Sequence, residues 1–212
     1  MNPAILVAAI GAAVTAMGWL VTGILTQRRE ERKARTEASL RYVERQLEEL
    51  YGPLAALLYE GRQIFSDLLQ SYGRTYVFRQ GEDLPEEELR TWLFWTEHSF
   101  LPRNRAIRDL LTAKSHLVNG SQFPESYVAF FQHESSWSIH HQRWLKEQVP
   151  YSWHSSVNWP VQFEREVLAT FESLKARHAE LLGLLGAQRR LQRQHERTSG
   201  TMPAQDEGDR DA

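Results

Sequence analysis

Apolar and small residues fill positions 3–26 without one charged side chain, and residues 27–35 then carry Arg28, Arg29, Arg32, Lys33 and Arg35. As a helix, the charge-free stretch extends about 36 Å at 1.5 Å per residue, enough to cross a hydrocarbon core of about 30 Å. A cleaved signal peptide would need a basic start, a shorter apolar core and a small-residue cleavage site. Only the α-amino group precedes this run, and it closes on Gly23-Ile24-Leu25-Thr26. The pattern predicts a single transmembrane anchor over 1–26. The basic residues that follow place the C-terminal bulk in the cytoplasm and the N-terminus outside, since Glu30 and Glu31 count little against them.

Beyond a basic juxtamembrane segment over 27–39, Leu40, Val43, Leu47, Leu50, Leu54, Leu57, Gly61, Phe65, Leu68 and Tyr72 recur at steps of three and four. This is the stripe of a long helix. Pro53 removes a helix hydrogen bond, but the stripe keeps its phase on both sides, so a kink is expected at Tyr51-Gly52-Pro53 rather than an end. Ser71-Tyr72-Gly73-Arg74 closes this helix.

A second helix is predicted over 84–99, opened by Asp83, Pro85 and three glutamates and burying Leu89, Trp92, Leu93 and Trp95 or Thr96. Pro102 marks a break, after which Asn104 caps a third helix running through Leu117 to Asn119-Gly120. Pro124 opens a fourth, with Tyr127, Phe130, Phe131, Trp137, His141, Trp144 and Leu145 on one side, stopped by Val149-Pro150. A loop follows over 150–160, then a fifth helix with Val161, Val167, Leu168, Phe171, Leu174, His178, Leu181, Leu182 and Leu185 on one face, fading after Gln188. The tail 198–212 is too polar to order itself.

No stretch alternates with period two, so the fold class is all-α: a transmembrane helix followed by a cytoplasmic bundle of four or five helices over 40–197. There is no internal repeat of solenoid length. The chain has no cysteine, which excludes disulfides, thiol nucleophiles and thiolate zinc sites. A net charge of −2 offers no electrostatic case for nucleic acid, and no cofactor motif is present.

Histidine and tryptophan cluster at Trp92, Trp95 and His98, and again at His133, Trp137, His140, His141 and Trp144. His133 and His140 are two turns apart, too far to share an ion without a third element, and H-E-x-x-H and Glu-x-x-His are absent. Packing in the bundle is the better reading of these rings than a metal or catalytic site. No catalytic residue is assigned. Arg103, Asn104, Arg105 and Arg108 gather cations at an expected helix start, where free N–H groups favour a phosphate or an acidic peptide. The same arginines also suit simple pairing with acidic neighbours. Tyr151, Trp153, His154 and Trp159 are more aromatic than a solvated loop requires and form a candidate binding loop, or a lid on the bundle.

Ala8, Gly11, Thr15, Gly18 and Thr22 fall at steps of three and four, lining one side of the anchor with small residues over which a second membrane helix can approach closely. The chain thus reads as a membrane-anchored module acting through protein–protein interaction, either self-association or docking on a membrane-protein partner. The other reading is a membrane-tethered enzyme acting on a phosphate-bearing or lipid-derived substrate.

Overall fold

The computed structural model describes the backbone of residues 3–78, 84–149 and 158–199, and in its first helix the side chains of Gly11 and of Thr15 onward. Among these residues every regular element is helical, and there is no strand. Helix α1 (Pro3–Gln46) passes through a π turn, Leu47–Tyr51, into α2 (Gly52–Ser71); α3 (Glu86–Trp95) passes through a second, Thr96–Phe100, into α4 (Leu101–Ala113). A 3₁₀ turn, Ser115–Leu117, precedes α5 (Glu125–Glu147), and α6 (Val161–Ser199) ends the described chain. The result is a helical bundle of four continuous rods.

Both π turns sit one residue ahead of a proline, and this has a physical cause. Proline has no N–H for the carbonyl four residues back, and its ring collides with that carbonyl. Widening the turn by one residue lets the preceding amide reach five residues back instead: Gly52 donates to the Leu47 carbonyl and Leu101 to that of Thr96. The kink expected at Tyr51-Gly52-Pro53 therefore takes the form of a π turn. The break expected at Pro102 does not occur. Asn104 accordingly caps nothing; it lies in the second turn of α4, fully buried.

Helix α3 starts after Pro85 with Glu86, Glu87 and Glu88 in its first turn, where negative charge meets the positive end of the dipole. Asp83, the expected cap, lies outside the described residues. Gly73, at φ 64°, closes α2 in the left-handed conformation, and Gln148, at φ 54°, does so for α5. Helix α6 continues past Gln188 to Ser199.

The chain divides into two compact units, one of residues 1–42 with 177–212 and one of residues 43–176. In the second, α4 packs on α2 and on α5. Its interior holds Leu50, Tyr51, Leu54, Ile107, Leu111, Leu117, Tyr127, Phe130, Phe163 and Val167. An aromatic layer of Trp92, Phe100 and Trp137 adjoins Leu68 and Val77. In the first unit, Leu181 and Leu185 of α6 are buried. Among the described residues no helix is long and apolar enough to cross a membrane, so the fold lends the expected anchor no support of its own. Helix α1 is nonetheless unbroken through 27–36.

Candidate functional site

Because the chain stays helical through Pro102, the free N–H groups that would have favoured an anion at Arg103, Asn104, Arg105 and Arg108 do not exist. At about 100° per residue these four side chains also diverge. Arg105 is exposed, while Arg103 and Asn104 turn inward. The Arg103 Nη2 donates to Asn104 Oδ1 at 3.0 Å, and its guanidinium lies 5.7 Å from the Phe100 ring and 5.5 Å from the Trp159 ring. Burial pulls the Arg103 pKa below its ordinary value, and Glu60 and Glu164 push it back. The guanidinium needs the bare backbone of Gly61: a Cβ there would lie 2.6 Å from Arg103 Cζ.

Arg108 is already committed. Its Nη1 donates to both oxygens of Glu134, at 3.1 and 3.2 Å, and its Nη2 to Asp109 at 2.9 Å. The hydrogen bond to Asp109 is the main cause of its raised pKa. The Glu134 carboxylate is 1% exposed, so Arg108 compensates a buried charge and is not held open for a ligand.

Of the candidate loop, Tyr151, Trp153 and His154 lie outside the described residues. Trp159 closes over the bundle where α6 begins. Its Nε1 donates to Glu164 Oε2 at 2.8 Å, and Glu164 Oε1 accepts from Arg62. Arg62, Arg103, Trp159 and Glu164 thereby tie α2, α4 and α6 together.

His133 is buried with its ring edge-on to Trp137 at 5.4 Å and to Trp159 at 5.6 Å. His141 is buried beside Trp144 at 5.5 Å, and burial lowers its pKa against the opposing pull of Glu97, which keeps the imidazole neutral near pH 7. His140 and His98 are exposed, the latter edge-on to Phe94. Among the described residues no group of three His, Asp or Glu side chains could hold a metal ion. His133 and His141 pack into the interior together with Trp92, which stacks on Trp137 at 5.8 Å.

Along α1 the small residues present an open face. Thr15 Oγ1 donates to the Gly11 carbonyl at 2.9 Å and Thr22 Oγ1 to that of Gly18 at 2.8 Å, so both hydroxyls are satisfied within the helix. A Cβ at Gly11 or Gly18 would meet nothing within 4 Å. The Ala8 side chain lies outside the described ones. Met17, Trp19, Leu20, Val21, Ile24 and Leu25 are all exposed, and together they surround the helix on most sides.

Several interior groups are not among those the sequence pattern singled out. Phe163, fully buried, stands four residues before Val167 and could have been found by period. Glu134, Glu164 and Gln46, whose Nε2 donates to the Leu117 carbonyl at 2.9 Å, carry no sequence signal, because a polar residue earns an interior place only from partners distant in the chain. No protein family, characterised protein or solved structure matches this chain.

Proposed function

We propose that the protein is a single-pass membrane module, its N-terminus outside and its helical domain in the cytoplasm, which associates with itself through the small-residue face of α1. The observation that carries this reading is the continuity of α1. One helix without a break joins the charge-free stretch to the stripe that begins at Leu40. A helix that is apolar on most sides finds its cover in lipid or in other helices. The inward bonding of the Thr15 and Thr22 hydroxyls supports the same reading, since it leaves a shallow surface with no unsatisfied donor over which two backbones can approach.

The enzyme reading finds no support in the packed histidines or in the paired Arg108.

The absence of cysteine makes the test direct. Single cysteines placed at Thr15 or Thr22, and at Leu20 or Ile24 on the opposite side, are oxidised in membranes containing the full chain. Crosslinked dimer is expected from Thr15→Cys and Thr22→Cys and is lost when Gly11→Leu and Gly18→Leu are added. Equal crosslinking from all four positions, or none from any, defeats association through this face.

A further inference from the structure

The first compact unit contains only two helices among the described residues, the start of α1 and the end of α6. Tyr42 is the last residue of α1 in that unit and Arg177 the first of α6, so each helix meets the limit of the unit at that residue. At 1.5 Å per residue, Arg29 stands about 20 Å from it along α1 and Arg189 about 18 Å along α6, while Thr26 and Arg193 both stand about 24 Å away. Counted in this way the C-terminal arginines lie as far along α6 as the juxtamembrane arginines lie along α1, although about 160 residues separate them in sequence.

Burial along α6 supports this alignment. Leu181 and Leu185 are buried, Gly186, Ala187 and Gln188 are half-buried, and the Gln188 Oε1 is shut away from solvent. Cover thus extends along α6 up to the residue before Arg189. On α1, Lys33, Thr36, Glu37 and Leu40 are half-buried, the corresponding levels on the other helix. Arg189, Arg190 and Arg193 flank this line and are exposed.

Charge on α1 is segregated at the same level. Arg28, Arg32 and Arg35 fall at successive steps of four and three with Arg29 and Lys33 in the next row, together an arc of about 160°, whereas Glu30, Glu31 and Glu37 share the opposite side. Among the described residues none of these five cations, nor Arg189, Arg190 or Arg193, forms an ion pair. Arginines further down α6 behave otherwise, since Arg177 pairs with Glu180 at 2.6 Å.

From this we infer that α1 and α6 together form a bipartite basic collar, Arg28, Arg29, Arg32, Lys33 and Arg35 with Arg189, Arg190 and Arg193, that binds the headgroups of anionic phospholipids. The inference rests on the membrane reading above for the position of the bilayer. Thr26 ends the charge-free stretch, so Arg193 reaches the level of the headgroup layer and Arg189 and Arg190 stand just above it. Each cation near such a surface is worth about a fivefold change in binding.

The test compares hydrogen exchange of the full chain in nanodiscs of phosphatidylcholine alone and of phosphatidylcholine with phosphatidylglycerol. Amides of 186–199 are expected to exchange at least about fivefold more slowly with the anionic lipid, the contribution of one arginine. Arg189→Gln, Arg190→Gln and Arg193→Gln together remove the difference, and Arg177→Gln leaves it. Equal exchange in both lipids overturns the collar, as does a difference that survives the triple substitution. Carbonate extraction separately reports the anchor. A chain that leaves the membrane pellet defeats the anchor, and the same exchange comparison with neutral and anionic vesicles still decides the collar.

Discussion

Gly61 is the residue at which one methyl group decides how α2 meets α4. Alanine is the better helix former by about 1 kcal/mol, yet at this position its Cβ would stand 2.6 Å from the Arg103 Cζ. Forcing a side chain out of a packed site costs about 1–3 kcal/mol, so Gly61→Ala is expected to destabilise the protein by roughly 1–2 kcal/mol in urea denaturation. In an Arg103→Ala background the sign should reverse, because only the helix preference remains. An equal cost in both backgrounds would show that the guanidinium is not what Gly61 makes room for. Gly61 was legible as a member of the helical stripe, but its reason was not. The partner lies on another helix, and no local pattern announces a guanidinium packed against it.

At the scale of elements, the two π turns explain the segment Leu50-Tyr51-Gly52-Pro53-Leu54, whose spacing predicts a kink without giving its form. Pro53 demands the wider turn, and Gly52 makes it possible, since a Cβ at 52 would lie 2.5 Å from the Leu47 carbonyl oxygen that the turn brings inward. Gly52→Ala should therefore cost about 2 kcal/mol or more, as backbone cannot yield the way a flexible side chain does. Pro53→Ala should cost no more than about 1 kcal/mol, through the looser unfolded chain. Thermal or urea unfolding of the two variants distinguishes these roles, and a cheaper Gly52→Ala would mean the π turn is not set by that contact. Pro102 shows why the sequence pattern divides the second rod into two helices. A proline reports the loss of one hydrogen bond, whereas Phe100, Ile107 and Leu111, all buried, hold both sides of it to one interior.

Across the whole molecule, the two units make separate claims on α1 and α6. The second unit has a broad aromatic and aliphatic interior, while in the first the buried apolar side chains among the described residues are Leu181 and Leu185. Leu181→Asp with Leu185→Asp is expected to abolish exchange protection over 177–191 while leaving α4 and α5 protected, because local stability follows local buried contact. Loss of protection throughout would show that the units unfold as one.

By itself the sequence determined the all-helical class, the apolar stripes and the charge-free stretch with its basic flank. These are properties of neighbours three, four or seven residues apart, and helical geometry alone converts them into faces. Only the tertiary structure decided that the helices run through Pro53 and Pro102, that Arg103 lies among Gly61, Phe100 and Trp159, and that Arg108 answers Glu134. Each depends on groups brought together from distant positions, where the balance of burial against pairing is struck between elements rather than along any one of them.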